Sequence, residues 1–149
     1  MTATRSAGVL CVLGVLCGCA ASSCSEGGLK PVPVDTRNDA CASCRMAVSN
    51  ARLAAEIVAA GEEPRVFDDI GCLSTYVRTH QLGSDVRLYV ADHRTGALLD
   101  AESAVFTRAA SIETPMGSHL VAHADDASRE ADGVRGPTVA AAQLFGPGR

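Results

Sequence analysis

An α+β fold follows from three observations in the chain. Val86, Leu88 and Val90 alternate with Arg87, Tyr89 and Ala91, the period of a strand with one buried face. Ile70, Leu73, Tyr76 and Val77 recur at helical spacing behind Asp68 and Asp69, either of which can cap a helix. The order strand, strand, helix, strand then repeats in the second half, without an exact sequence repeat. Two ββαβ units are therefore expected.

Taken in order, Met46–Ser49 is short and strand-like. Arg52–Ala59 is apolar-rich, and the turn chemistry of Gly61-Glu62-Glu63-Pro64 makes it a strand pairing with Arg65–Phe67. The helix from Ile70 runs to about His80, and Gly83 stops it. Thr95-Gly96 turns the chain after the Val86–Ala91 strand. Ala97–Leu99 is expected as a short strand opening the second unit, with one helical turn over Ala101–Ala104 and a strand over Val105–Ala109. Pro115 and Gly117 make Ser111–Gly117 irregular. His119–His123 alternates as a strand, Asp125 or Asp126 caps a helix to about Ala131, and Val134–Val139 returns as a strand.

A net charge of -4 over 149 residues gives no reason to expect nucleic-acid binding. With 3% aromatic residues and no Trp, the core must be aliphatic.

The first residues read as an export signal. Arg5 supplies the positive region, and Ala7–Leu16 is apolar but short for a membrane span. Leu16-Cys17-Gly18-Cys19 resembles a bacterial lipoprotein box, which makes Cys19 the expected lipidated residue after removal of 1–18. Cys24, in Ala21-Ser22-Ser23-Cys24, is a second candidate, and an ordinary secretory signal is the alternative. Residues 19–38 contain Ser, Gly, Pro31 and Pro33 and read as a flexible tether. The folded domain is expected over 39–145, with lobes at about 39–93 and 97–145. An anchor facing the periplasm follows, and Ala20 after Cys19 favours the outer membrane of a Gram-negative-type envelope.

The chemistry concentrates in Asp39-Ala40-Cys41-Ala42-Ser43-Cys44-Arg45-Met46, where three sulfur side chains fall within six residues, Cys41 to Met46. Soft donors of this kind favour Cu(I), with Zn(II) possible where thiolates dominate. In an envelope the Cys41/Cys44 pair is also a candidate disulfide, structural or exchanging. A zinc knuckle lacks a second CxxC, and a c-type haem lacks the His that Arg45 replaces. Cys72, in Phe67-Asp68-Asp69-Ile70-Gly71-Cys72, reads first as a small core residue, and Asp68 and Asp69 as caps. Thr114-Pro115-Met116-Gly117-Ser118-His119 is a second sulfur-bearing loop, in which Pro and Gly fix the backbone and present Met116. His119 and His123 share a strand face at some distance from each other. His80 and His93 read as surface residues.

Together these segments, with Asp100-Ala101 and Ala104, resemble the NosL family, copper-binding lipoproteins that accompany maturation of nitrous oxide reductase. The resemblance covers about Asp39 to Leu144. It implies paired ββαβ units similar to the organomercurial lyase MerB. It also implies one Cu(I) held by Cys and Met sulfur, and delivery to the reductase or its copper-loading machinery. Cys44 and Met46 match the CxxCxM motif and Met116 matches TPMG. Cys41 is a further candidate ligand, with His119 and Cys72 in reserve. The family usually carries Gly where this chain has Arg45. A non-enzymatic carrier is expected. The alternatives are a thiol-disulfide oxidoreductase using Cys41/Cys44, a structural lipoprotein with one disulfide, and a carbon–mercury lyase drawing a proton from Asp68 or Asp69.

Overall fold

The computed structural model describes residues 29–146. The expected signal peptide, the lipidation candidate Cys19 and Cys24 lie outside the described residues. The first unit comprises β1 (Ala55–Ala59), β2 (Arg65–Phe67), α1 (Ile70–Thr79), β3 (Val86–Ala91) and β4 (Leu98–Asp100). Its antiparallel sheet has the order β2-β1-β3-β4. The second comprises β5 (Val105–Arg108), β6 (Leu120–His123), α2 (Asp126–Asp132), β7 (Thr138–Val139) and α3 (Ala141–Phe145). Its sheet has the order β6-β5-β7.

The two units are topologically equivalent. The first strand of each is central and pairs antiparallel with the other two, β1 with β2 and β3, and β5 with β6 and β7. In each, the helix follows the second strand and starts at an aspartate cap. Asp69 accepts from the Gly71 N–H at the start of α1, and Asp125 from the Ser128 N–H at the start of α2. The α+β expectation and the ββαβ rhythm therefore describe the molecule.

Four boundaries differ. Ala97–Leu99 does not open the second unit. β4 instead pairs with β3, with Leu98 opposite Ala91 and Asp100 opposite Tyr89. The reason is local: the Asp92 carboxylate accepts from the Thr95 N–H, and the Gly96 N–H donates to the Asp92 carbonyl, so the chain folds straight back on β3. The expected Val134–Val139 strand shortens to β7. Helix α3 was not anticipated, having no polar residue in front of it. Gln143 caps it by reaching back to the Ala140 N–H. Residues 29–34, expected within the tether, lie on the sheet, where the buried Glu56 carboxylate accepts the Val32 N–H at 3.1 Å. The Tyr89 hydroxyl, opposite Glu56 in register, donates to the Leu29 carbonyl. Burial raises the Glu56 pKa above the usual carboxylate range, and the Val32 N–H opposes that shift.

The larger core cluster joins the units. Ile57, Phe67, Leu73, Val77 and Val90 of the first pack with Phe106, Leu120, Leu144 and Phe145 of the second. The Ser74 hydroxyl on α1 donates to the Leu144 carbonyl at 2.7 Å, docking α3. The His93 N–H donates to the Ala122 carbonyl, and Asp92 bridges to Ala122, so the ends of β3 and β6 meet.

Asp92 is buried at this junction and accepts from the Thr95 N–H, the Ala124 N–H and the Ser128 hydroxyl. Burial alone would raise its pKa, but these donors outweigh burial and bring it down to about 2 from 3.8. A carboxyl depressed in the folded state adds stability above its unfolded pKa and loses it as pH falls through the folded value. Asp92→Asn is therefore expected to destabilise the chain most above about pH 4, with the gap from wild type closing toward about pH 2. Urea midpoints of both proteins across that range check it, and a pH-independent gap refutes it.

Gly71 is required by a close approach. A Cβ there would lie 2.7 Å from the Ser118 Cβ. Gly71→Ala is expected to force the 114–118 loop away from α1, at a cost of about 1–3 kcal/mol in denaturant unfolding.

Candidate metal centre

The sulfur cluster is built by one tight turn. The Arg45 N–H donates to the Cys41 carbonyl at 2.9 Å, closing a turn over Cys41–Cys44. Arg45 then takes a left-handed conformation, φ 69°, which sends the chain back so that the Cys41 N–H reaches the Met46 carbonyl at 2.8 Å. Ala40 and Ala47 form a bridge across the base of this turn. The Ala42 N–H donates to the Val66 carbonyl of β2 at 2.8 Å, which lays the turn against the strand leading into Asp68.

The result is a convergence of donors from three segments. One ligand atom each from Cys41, Cys44, Asp68 and Cys72 lies within 4.8 Å of the others. All three cysteines are free thiols. Cys41, Asp68 and Cys72 are buried, and Cys44 is half-buried. The Cys44 thiol faces both Asp68 carboxylate oxygens, at 3.5 and 3.7 Å. Burial, first of all, raises the pKa of Cys44, and the nearby Cys41 and Asp68 add to the rise. Cys72 is raised strongly for the same reasons, burial before Cys41 and Asp68. Burial first, and then the neighbouring sulfur and carboxylate, oppose a thiolate at Cys44 and Cys72. A soft cation reverses that balance by displacing protons from the thiols. Three sulfurs and one carboxylate fit such an ion.

The second loop is tied to the same helix start. The Met116 N–H donates to Asp69 Oδ2 at 3.0 Å, and the Gly71 N–H to Asp69 Oδ1 at 2.6 Å. Burial pushes the Asp69 pKa up, but the Ser118 and Thr114 hydroxyls and these two N–H groups outweigh it and hold the carboxyl below its ordinary range. Within the loop, the Gly117 N–H donates to the Thr114 carbonyl, and the His119 N–H to Thr114 Oγ1. Adjacent aspartates thus face different tasks. Asp68 contacts the thiols, and Asp69 caps α1 and fixes the Met116 loop.

Met46 and Met116 are among the three large apolar side chains left exposed among the described residues, at 53% and 50%. A core methionine would be buried. Met46 lies two residues beyond Cys44, and the Met116 backbone is held by Asp69, the residue next to Asp68, so both thioethers are left open to solvent on segments tied to the thiol cluster. His119 Nδ1 is engaged with the Ile112 carbonyl at 2.8 Å, and its backbone is left-handed at φ 56°, outside β6. His119 and His123 do not meet. Cys72, read from the sequence as core, stands within the donor cluster. Asp68, read as a cap, faces the sulfur while Asp69 caps.

His93, read as a surface residue, is only partly exposed and bonded to Asp132. His80 does lie exposed, stacked on Tyr76.

A left-handed non-glycine residue carries backbone strain of about 1–3 kcal/mol. Arg45→Gly removes that strain, offset in part by the greater freedom of glycine in the unfolded chain. A net stabilisation of about 0.5–1 kcal/mol is expected. Denaturant unfolding checks it, and a loss of stability would contradict the strained turn.

Three comparisons bear on this arrangement. The NosL family model matches residues 31–143. No curated relative matches. Among solved structures, the crystal structure of the copper chaperone NosL from Shewanella denitrificans is similar in fold, with a TM-score of 0.61 and 16% identity, covering 75% of this chain and 92% of that one. The family match spans the sulfur turn, the Asp68–Cys72 segment and the Met116 loop together, and on it the chain belongs to the NosL family.

Proposed function

We propose that the protein captures Cu(I) at the Cys41–Cys44–Cys72 cluster and hands it on. The observation that carries this reading is the convergence of three thiols and the Asp68 carboxylate within 4.8 Å. Thiolate and thioether donors select Cu(I) over harder ions. The copper chaperone named among the similar structures supports copper as the cargo.

Cys44 is the anchor: it is the half-buried thiol, within reach of both solvent and Asp68. Cys41 or Cys72 completes the sulfur set, and Met46 and Met116 act at the mouth. Transfer needs a position that a partner's sulfur can enter before a donor sulfur leaves. An exposed thioether, neutral at every pH, can give way without taking up a proton. The raised pKa of Cys44 counts against the thiol-disulfide exchanger, because the thiolate is the nucleophile and is scarce there.

Two further parts of the reading rest on the family and on the first residues of the chain. The client is nitrous oxide reductase or its copper-loading machinery. The protein is held by lipid on Cys19 at the envelope membrane, facing the periplasm.

Titration of the reduced, anaerobic protein with Cu(I) against a competing chelator tests the site. One copper per chain is expected, with two or three sulfur neighbours by X-ray absorption. Cys44→Ser is expected to weaken binding by more than about tenfold, and Met116→Leu by less, with folding kept in both. Absence of competitive binding, with Cys41 and Cys44 oxidised together, returns the protein to a disulfide role.

A further inference from the structure

The second unit carries a donor cluster of its own. His93 Nδ1 lies 2.6 Å from Asp132 Oδ2, and His123 Nε2 lies 3.0 Å from the same oxygen. One ligand atom from each of the three residues falls within 4.8 Å of the others. Three segments supply them: the turn after β3, the last residue of β6 and the last residue of α2. The copper reading uses none of these groups.

We propose that His93, His123 and Asp132 form a second metal site, for a borderline divalent cation such as Zn(II). Two imidazole nitrogens gathered on one carboxylate oxygen suit Zn(II) and its first-row neighbours, and offer nothing to draw Cu(I) from sulfur. Burial is graded in the way such a site requires. The His123 side chain is fully buried, while His93 and Asp132 are 24% and 18% exposed. The ion would have a firm inner wall and an open side for water, as three-ligand zinc sites do.

The His123 Nδ1 is buried and has no hydrogen-bond partner. A ring ligating through Nε2 would carry its proton on this nitrogen, a buried donor without an acceptor, so the proposal rests on the three-residue convergence and the ion has to outweigh that cost. In the metal-free state each imidazole donates its proton to Asp132 Oδ2. On metal binding those protons move to His93 Nε2 and His123 Nδ1, and the vacated lone pairs ligate the ion. The site gains the ion's two positive charges against the single carboxylate. A plain hydrogen-bond clamp would need only one histidine to hold α2 to β6. The second, from a different strand end, is what turns a clamp into a chelate.

The placement also follows the internal equivalence of the units. Ala55 of β1 is opposite Phe67, the last residue of β2, and Val105 of β5 is opposite His123, the last residue of β6. Each unit thus gathers its donors where its second strand runs out, next to an aspartate-capped helix. The first gathers sulfur there and the second gathers nitrogen.

The test is Zn(II) titration of the purified protein, with Cu(I) already bound, followed by imidazole nitrogen resonances. Bound Zn(II) is expected to shift His93 Nδ1 and His123 Nε2 and to place the protons on the opposite nitrogens. Asp132→Asn is expected to weaken this binding by at least about tenfold while leaving Cu(I) affinity unchanged. His93→Gln, at a partly exposed position, is the second variant and decides the matter if Asp132→Asn fails to fold. Histidine resonances unmoved at saturating Zn(II), or shifts that persist at equal affinity in the folded variants, overturn the proposal.

Discussion

The Asp69 carboxylate is the constraint on which the site depends. It is buried, yet it stays ionised more readily than a free aspartate because N–H groups of Gly71 and Met116 and the hydroxyls of Thr114 and Ser118 point at it. One side chain thereby starts α1, sets the direction of Cys72 in its first turn and pins a loop from the other unit. Removing it would leave several buried donors without an acceptor, a larger loss than the bonds themselves. The glycine at position 71 belongs to the same device, because only a residue without a Cβ lets the Ser118 loop come this close.

With Asp69 committed to the scaffold, Asp68 is left for chemistry. It enters the cluster from the end of β2, while the sulfur turn is held to the same strand by the Ala42 N–H on the Val66 carbonyl. The geometry is therefore fixed by backbone hydrogen bonds and not by the thiols. That separation matters for a carrier. The fold of the turn does not depend on a bound ion, and an ion that binds has to displace the protons of Cys44 and Cys72, whose pKa values are raised chiefly by burial.

Much of this was legible in the sequence because the signals are local. The helix from Ile70, its aspartate cap, the CxxCxM turn and the Pro-Gly frame around Met116 each lie within a dozen residues. What was not legible depends on distant contacts. Cys72 alone at a helix start looks like core, and only the docking of the 41–46 turn on β2 brings it to Cys41 and Cys44. Arg45 in place of glycine gave a warning that the structure explains: the backbone there is left-handed, so the position does favour glycine. His93 and Asp132 are 39 residues apart, on segments that look like solvent-facing turn and helix end. Nothing in their spacing signals a pair. The β3–β4 hairpin, misassigned from sequence because β4 was placed in the second unit, is what carries His93 to the end of β6.

The sorting of donors between the two units has a physical logic. Thiols and thioethers bind Cu(I) strongly but also accept other soft or borderline ions, zinc among them. A carrier with only a sulfur site is open to occupation by the wrong metal. A nitrogen and oxygen site on the same chain, at the corresponding strand end, gives a borderline dication a separate place with no sulfur in it. Selectivity then comes from ligand chemistry divided between two places, which one compromise site could not provide. The buried His123 ring, held to Asp132 through Nε2, ties that second place to the end of β6.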